Sequence, residues 1–588
     1  MSKPAFKIQY NKTKLPKLDT LEKQFEPTNS QEIAIQYNPF KIQNLQNYNP
    51  IYSLFFEMNE NNYNKISLNQ ANQFVDMNTI LKADSPFEKP VFIKFAPLLD
   101  PIRYMIGKYN VSDPKLLEMP KHGSTAIQNK LQSPNNASYV DCFFSYLSSQ
   151  LLNNHQIVNA VDFYGSYVGV QNVYKMNVTD DLEYLNTSTY FLENVGKLFS
   201  ITADTAEYVG AGSRNNKQKL SFLEDDANLL DAIELDNELS PVDANLLDAI
   251  ELSPVDANQL NIEETIDELV YEKEERLSKS SHGSSSTNTS NNSETNYSSI
   301  DENESDSSSN ESSDSDSDYT DCSDSENESE NDDDDESESE LFAYINNFPV
   351  QMICLEKCDG TMDDLFEKDE FDEATGSAAL FQIIMTLIAY QKAFEFTHND
   401  LHTNNIMYSN TDIEYLYYRF SGKTYRVPTY GKIFKIIDFG RSIYKINGKT
   451  FCSDSFAPGG DASTQYNCEP FFSDSKPRID PNFSFDLCRL GCSIYDFIVD
   501  SDDKTQKLDD FQKTIARWCL DDMGKNVLYK KSGEERYPNF KLYKMISRTV
   551  HKHTPQAQLA YKMFSQYEKS DISDADNVVD IDAMPCYV

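Results

Sequence analysis

A run of acidic and small polar residues divides this 588-residue chain and limits what it can fold into. Residues 221–340 contain 39 acidic and 3 basic side chains, out of a net charge of -43 for the whole chain. From 279 to 340 almost every residue is Ser, Asn, Asp or Glu, which buries too little apolar surface to offset the entropy lost on folding. We therefore expect residues 217–340 to be a disordered acidic insertion, with the folded core formed by the segments on either side.

The insertion begins with a short internal repeat. The decapeptide DANLLDAIEL occurs at 226–235 and again at 243–252, and a fragment, DANQL, follows at 256–260. A solenoid needs at least about three stacked units, so the repeat indicates duplication inside a tolerant insertion. The serines further along lie among acidic side chains, which makes the insertion a candidate for phosphorylation or for recruiting basic partners.

The composition of the remaining chain excludes several classes of protein. Outside the acidic run the chain is close to neutral and has no basic cluster, so we expect no nucleic-acid partner. The ten cysteines show no C-x-x-C pairs, which indicates a reducing compartment. The start of the chain has no apolar signal segment, and the longest apolar run, from Ala378, is too short to span a bilayer. We predict a soluble, intracellular protein without membrane contact.

Shifts in composition and hydrophobic periodicity give a coarse order of segments. The predicted order is a poorly ordered leader at 1–45, an amino-terminal part at 46–216, the insertion at 217–340, a second folded part at 341–570 and a tail at 571–588. Within the amino-terminal part, Val91–Lys94 reads as a short buried strand and 137–152 as a helix.

Two short polar motifs with apolar flanks carry the strongest functional signal. The first is H-N-D-L-H-T-N-N at 398–405, after a long apolar helix near 378–396. The second is D-F-G at 438–440, after the apolar residues 434–437. Either motif alone is a weak signal, whereas their order and flanks make the pair specific. Together they resemble the catalytic loop and the metal-binding motif of protein kinases.

This resemblance implies an α+β, two-lobed protein-kinase-like fold, with a small β-rich amino-terminal lobe that carries the insertion and a mainly helical carboxy-terminal lobe. It implies ATP and Mg²⁺ as cofactors and a Ser/Thr hydroxyl of a protein substrate as the acceptor. In such a site Asp400 orients the acceptor hydroxyl, and Asn405 and Asp438 hold magnesium. Carboxylate and amide oxygens are the hard ligands that magnesium prefers.

Three further segments extend the resemblance. S-F-D-L-C-R-L-G at 484–491 is similar to the helix that supports the catalytic loop, which implies that Asp486 and His398 are structural supports of the loop. V-F-I-K at 91–94 resembles the strand whose lysine contacts the α- and β-phosphates, which makes Lys94 the candidate. The segment from Met352 resembles the strand that leads into the adenine-binding hinge, where Glu356 and Cys358 would contribute backbone groups.

The resemblance covers roughly residues 50–212 and 345–565. The composition of the chain, rich in Asn, Tyr and Ile, is similar to that of the divergent serine/threonine kinase-like proteins of large DNA viruses. A viral origin would place the protein in the host cytoplasm or in the virion.

The chain departs from the protein-kinase pattern around the nucleotide. No glycine precedes Gly107, so the glycine-rich loop expected ahead of Lys94 is missing. The best substitute for a tight turn is the run Asn59, Asn61 and Asn62, because asparagine tolerates left-handed backbone.

The acidic partner of Lys94 is also missing from its usual place, because the helix at 137–152 contains no glutamate. Asp141 lies within that helix and Glu118 before it. Of the two we choose Asp141, although an aspartate on a helix is more often a solvated surface residue.

The catalytic loop itself departs from the pattern at two positions. Asn399 replaces the arginine that pairs with a phosphorylated activation loop, so activation by loop phosphorylation is not implied. His402 replaces a phosphate-contacting lysine, and D-L-H also occurs in lipid, aminoglycoside and choline kinases.

Three alternatives therefore stay open beside the protein kinase: a pseudokinase that binds nucleotide without transfer, a small-molecule kinase, and a tether dominated by the insertion. Two other patterns favour ordinary roles. The alternation of His551 and His553 is only a faint metal signal, and Cys488 and Cys492 lie four residues apart on a presumed buried helix, where thiols pack as small apolar groups.

Overall fold

The computed structural model describes residues 6–12, 14–68, 72–82, 87–124, 127–202, 340–499, 507–570 and 577–588. The expected disorder of the insertion at 217–340 falls outside the described residues, apart from residue 340. The described residues form an α+β fold, in which an antiparallel sheet dominates the amino-terminal part and helices dominate the part after residue 360.

The strands are β1 Tyr10–Lys12, β2 Ile42–Gln46, β3 Ile66–Leu68, β4 Gln73–Asp76, β5 Thr79–Leu81, β6 Glu88–Pro97, β7 Phe163–Asn177, β8 Phe199–Ile201, β9 Phe342–Glu356, β10 Gly360–Thr361, β11 Ile406–Asn410, β12 Tyr415–Phe420, β13 Lys423–Pro428, β14 Lys432–Ile436, β15 Ile443–Ile446, β16 Lys449–Cys452 and β17 Val578–Asp580. The helices are α1 Leu18–Gln24, α2 Ser30–Ile35, α3 Pro101–Met105, α4 Asn129–Gln132, α5 Ala137–His155, α6 Leu182–Asn186, α7 Thr189–Asn194, α8 Met362–Glu367, α9 Glu373–Phe394, α10 Phe485–Ile498, α11 Asp510–Trp518, α12 Lys541–Thr549, α13 Pro555–Gln558 and α14 Lys562–Ser565.

Seven strands form the main sheet, in the order β2-β7-β9-β6-β5-β4, with β8 pairing with the first residues of β9. The two central strands, β7 and β9, are each 15 residues long and buried along most of their length. Both faces of the sheet are covered, so these strands read as nearly continuous apolar runs rather than as alternating ones. Helix α5 packs against the strands from one side.

The leader differs from the poor order expected of residues 1–45. Strand β2 extends the sheet, with Ile42 opposite Gln171 of β7, and α1 buries Leu18 and Leu21 in a cluster on the outer face of the sheet. The sequence prediction is corrected here because a few well-spaced apolar residues suffice to anchor short polar segments on an existing sheet. Such anchoring leaves no sustained local period.

Helix α9 forms the centre of the carboxy-terminal part. It begins at a capping box in which Asp372 and Thr375 satisfy each other's backbone amides, and nearly all of its side chains are buried. It is the one helix among the described residues that is long and apolar enough to cross a membrane, but 83% of its apolar window is buried inside the fold. This burial is typical of a core helix.

The tail adds to a hairpin. Strands β12 and β13 are joined by a tight turn at Ser421 and Gly422, both with positive φ. Strand β17 pairs in parallel with β12, with Val578 opposite Tyr417. The described end of the tail is thus part of the fold.

Candidate functional site

The pairing of β11 with β14 brings the two predicted motifs together. Ile406 lies opposite Ile436, so Asn405 and Asp438, just beyond this pair, are at the same edge of the small sheet. The backbone amide of Ile437 donates to the carbonyl of Asn405 at 3.0 Å. Asp438 has a φ of +61°, a left-handed conformation that is rare outside glycine and often found at functional sites.

Lys94 joins this edge to the main sheet. Its Nζ lies 2.8 Å from Oδ2 of Asp141 and 2.9 Å from Oδ1 of Asp438. Burial raises the pKa of Asp141 in spite of the neighbouring ammonium. Desolvation also opposes ionisation of Asp438, but Lys94 outweighs it and holds the pKa of Asp438 below its ordinary value. One cation thus serves two carboxylates, which leaves the group with an excess of negative charge.

Asp141 therefore has a partner, whereas the other sequence candidate does not reach the site. Oδ1 of Asp141 also accepts a hydrogen bond from the backbone amide of Phe439 at 2.9 Å, so one carboxylate links Lys94 to the D-F-G segment. Glu118 is exposed after a short 3₁₀ turn, and no ion pair joins it to Lys94 within the described residues.

The segment after D-F-G holds α5 in place. Asp454 accepts a hydrogen bond from the backbone amide of Ala137, the first residue of α5, at 3.1 Å. Its second carboxylate oxygen lies 2.6 Å from Nζ of Lys130, and its own amide donates to the carbonyl of Asn135 at 2.7 Å. An acidic group at a helix start satisfies an amide that has no partner inside the helix.

Asn399 links the same segment to the H-N-D-L-H-T-N-N loop. Its Nδ2 donates to the carbonyl of Arg441 at 3.0 Å, and its Oδ1 accepts from the hydroxyl of Tyr466 at 2.7 Å. These two neutral hydrogen bonds tie the segment directly to the position where the sequence lacks a phosphate-binding arginine.

Asp486, on α10, holds the backbone of the H-N-D-L-H-T-N-N segment. Its fully buried carboxylate accepts hydrogen bonds from the backbone amides of His398 and Asn399, each at 2.9 Å. Nδ1 of His398 accepts from the amide of Asp400 at 3.3 Å, so Nε2 carries the proton and donates to the carbonyl of Ile437 at 2.9 Å. The two sequence-predicted supports thus fix both ends of the H-N-D segment.

Asp400 faces a tyrosine and two arginines. The hydroxyl of Tyr543 donates to Oδ1 at 2.7 Å, and Nε of Arg441 lies 3.9 Å from Oδ2. Burial by itself would raise the pKa of Asp400, but the charges of Arg441 and Arg489 outweigh it and hold the pKa below its ordinary value. The side chain is therefore a carboxylate at neutral pH.

His402 is neutral and linked to Asn405. Burial lowers the pKa of His402 to about 4, and its Nε2 lies 3.0 Å from Nδ2 of Asn405, which must be the donor. Nδ2 of Asn405 also donates to the carbonyl of Asp400 at 2.9 Å. Both amide protons are thus used within the loop, which orients the amide oxygen of Asn405 away from it.

The predicted hinge residues lie at the end of β9. The side chain of Glu356 forms an ion pair with the buried Lys435, with both oxygens within 2.9 Å of Nζ, and its amide donates to the carbonyl of Asp162 at 2.9 Å. Cys358 is buried, which raises the pKa of its thiol to about 11. Its backbone amide makes no hydrogen bond with the described residues.

The turn next to Lys94 is not the predicted one. Asn59 to Asn62 form a hydrogen-bonded turn before β3, which pairs with β1 outside the main sheet. The hairpin that precedes β6 is β4–β5, whose turn is held by a hydrogen bond from the amide of Asn78 to Oδ1 of Asp76 at 2.8 Å. This D-M-N turn, which replaces glycine with an aspartate side-chain bond, has a readable sequence signal that we missed.

The remaining sequence candidates have ordinary surroundings. Nδ1 of His551 lies 2.6 Å from Asp522, whereas Nε2 of His553 lies 2.7 Å from the carbonyl of Leu520, so the two rings have separate partners. Cys488 and Cys492 are buried in the core. Two contributors at the site, Tyr543 and Asp454, lie in segments without any motif, and nothing in the local sequence distinguishes them. Arg489 lies within the S-F-D-L-C-R-L-G segment, but the resemblance implies no role for it.

Comparison with known proteins points to the protein-kinase class. Over 83 residues the chain is 35% identical to the serine/threonine-protein kinase haspin of Mus musculus. Over the same length it is 34% identical to haspin of Bos taurus. The matched segment makes up 14% of this chain and 11% of each relative, and no protein-family model matches the chain. This partial similarity supports a protein-kinase-like relationship, while the resemblance to viral kinase-like proteins stays a prediction.

Proposed function

We propose that the chain is an ATP-dependent phosphotransferase that transfers the γ-phosphate to a Ser or Thr hydroxyl of a protein. The observation that carries this proposal is the ion-pair group of Lys94, Asp141 and Asp438, which lies at one edge with Asn405 and next to the loop of Asp400. Four of these five residues come from segments that resemble protein kinases. The partial similarity to two serine/threonine-protein kinases supports the same class.

In this proposal the sheet with α5 is the small lobe and the helical part is the large lobe. The β4–β5 hairpin, with its turn at Asp76 and Asn78, covers the phosphates in place of a glycine-rich loop. The end of β9 at Glu356 is the hinge, and the unbonded amide of Cys358 is the donor for adenine.

The side chains at the edge fit a magnesium ion that is shared with phosphates. Asp438 and the amide oxygen of Asn405 are oxygen ligands, and the excess negative charge around Lys94 favours a further cation. Within the described residues no group of three or more His, Cys, Asp or Glu side chains is placed to hold a metal alone. This fits an ion that takes its remaining ligands from phosphate and water, and bound there it would neutralise charge on the transferring phosphate.

The proposed role of Asp400 is to orient the acceptor. The acceptor oxygen forms a bond to the γ-phosphorus, the bond from that phosphorus to the β–γ bridging oxygen breaks, and ADP leaves. The proton of the acceptor hydroxyl passes to the Asp400 carboxylate, which is ionised and therefore able to accept it. Lys94 orients the α- and β-phosphates.

Incubation with labelled ATP and Mg²⁺, first alone and then with generic proteins, sugars or amines, tests the proposal. We expect label on protein Ser or Thr, and Asp400→Asn should abolish it while ATP still raises the Tm. Asp496→Asn is a matched control, because Asp496 also accepts a tyrosine hydroxyl at 2.7 Å, from Tyr529. Unchanged transfer by Asp400→Asn would contradict the assignment.

Other results of these experiments would favour one of the alternative functions. A Mg²⁺-dependent rise in Tm with ATP but no transfer to any acceptor would define a nucleotide-binding module. Label on sugars or amines alone would define a small-molecule kinase. Removal of residues 217–340 should leave transfer intact, whereas loss of function on removal would favour a tethering role.

A further inference from the structure

Tyr543 occupies a defined place against the proposed base. It lies on α12, 143 residues from Asp400 in the sequence, and its hydroxyl is 2.7 Å from Oδ1 of Asp400. Among the described residues no other side chain hydrogen-bonds that carboxylate. The nearest charged group, Nε of Arg441, is 3.9 Å from Oδ2.

The direction of this hydrogen bond is fixed by a third residue. Nε of Arg489, on α10, donates to the hydroxyl of Tyr543 at 2.9 Å. Because a guanidinium has no acceptor and stays protonated, the tyrosine oxygen must accept from Arg489 and direct its own proton to Asp400. The three groups form a hydrogen-bond chain in which Arg489 donates to Tyr543 and Tyr543 donates to Asp400.

The ring of Tyr543 is held on several sides. It stacks on Phe540 with centroids 5.3 Å apart and an interplanar angle of 16°. The guanidinium carbons of Arg489 and Arg441 lie 5.1 Å and 5.8 Å from its centroid. Such packing lowers the freedom of the side chain, so the hydroxyl is a rigid donor rather than a mobile one.

The geometry points to Tyr543 as the positioning residue of Asp400, an inference that rests on the proposed function. Its hydroxyl holds Oδ1, so that Oδ2 is left for the acceptor hydroxyl. His402 does not supply this support, because its Nε2 accepts from Asn405. Tyr543 acts through Asp400 and does not itself exchange a proton.

The alternative role for Tyr543 is to block the site, and it predicts the opposite effect on kcat. A hydroxyl 2.7 Å from the proposed base also lies where an acceptor hydroxyl would bind, so a tyrosine that blocks the site would slow transfer when present. The bond from Arg489 and the stacked ring favour positioning, because a group that must leave in every cycle gains nothing from such anchoring. The kcat of a variant that lacks the hydroxyl distinguishes the two roles: it falls if Tyr543 positions Asp400 and rises if Tyr543 blocks the site.

Tyr543→Phe removes one oxygen and keeps the stacked ring. We expect kcat to fall about ten-fold or more, the effect of one lost charge-assisted hydrogen bond in the transition state. KM for ATP should not change, because Tyr543 has no contact with Lys94 or Asp438. Tyr529→Phe is the matched control, since it removes a hydroxyl that donates to Asp496 at the same 2.7 Å, and it should leave kcat unchanged.

Two arginine variants complete the test. Arg489→Lys keeps a cationic donor and should retain most of kcat, whereas Arg489→Met should match Tyr543→Phe. An unchanged or raised kcat in Tyr543→Phe would overturn the inference, and so would a fall that only follows a loss of folded protein in thermal melts. Absence of transfer by the unmodified chain would instead overturn the proposed function together with the inference.

Discussion

Nζ of Lys94 lies 2.8 Å from the carboxylate of Asp141, on a helix 47 positions further along the chain. From the sequence we chose this aspartate as the acidic partner of Lys94 because the usual glutamate is absent from the helix. The shorter side chain reaches the lysine because α5 lies close to the strand and to D-F-G, where the same carboxylate accepts the amide of Phe439.

Replacement of Asp141 should therefore weaken ATP binding at the proposed nucleotide site. Asp141→Ala should raise KM for ATP about ten-fold or more, because Lys94 loses a buried charged partner, and Asp141→Asn should fall between that variant and the unmodified chain. Steady-state kinetics and the ATP-induced change in Tm measure both effects. Asp510→Asn, at a partly exposed aspartate on α11, serves as a control, and an equal effect there would count against a specific role.

Asp454 should stabilise the start of α5. Asp454→Ala removes an amide acceptor and an ion pair with Lys130, and should lower the free energy of unfolding by about 1–2 kcal/mol. Asp454→Asn keeps an acceptor for Ala137 and should lose less. Urea titration gives the free energies. If transfer falls in Asp454→Ala while nucleotide binding is retained, the segment after D-F-G also governs activity.

Asp486 should be the most costly of these aspartates to remove. Asp486→Ala leaves two buried backbone amides without an acceptor, at about 1–3 kcal/mol each. Asp486→Asn is little better, because an amide group can accept from only one of them and places its own protons against the other. Chemical denaturation and hydrogen exchange at His398 and Asn399 check this. Normal stability of Asp486→Ala would show that water takes over both bonds.

His553 should make stability depend on pH. Burial holds its pKa below the ordinary 6.5, so the unfolded chain binds a proton that the folded chain refuses as pH falls through 6.5. Stability from this residue is complete above that pH and declines below it. His553→Gln should flatten the change in urea midpoint between about pH 7.5 and 5. A slope that is the same in His553→Gln and in the unmodified chain would contradict this role.

The sequence predicted those parts of the site that depend on local patterns. Asp400, Asn405 and Asp438 lie in short motifs between apolar segments. The pairing of β11 with β14, which encloses the β12–β13 hairpin, brings Asn405 and Asp438 to one edge. Their catalytic and metal-binding roles stay proposals. The α+β class was expected from the resemblance of these motifs to protein kinases, and the described residues form an α+β fold.

The remaining contacts depend on packing between distant segments. Asp454 lies 317 positions from Ala137 and Tyr543 lies 143 positions from Asp400, and neither has a neighbouring motif that announces its partner. The leader was misjudged for a related reason. Its anchors, Leu18 and Leu21, bury against a sheet whose strands come later in the chain.

The junction of β8 with β9 explains how the fold tolerates its longest connection. Ile201 and Ala343 are register partners, so the chain leaves the sheet and returns to it at neighbouring points, although residues 203–339 lie between them. The entropic free-energy cost of closing a connection rises by only about 0.6 kcal/mol for each doubling of its length. A two-residue Asn-Gly turn in place of 203–339 should therefore give a shorter chain that folds at least as stably. The junction of β8 and β9 is therefore a site where we expect the chain to tolerate large changes in length without a change in the paired strands.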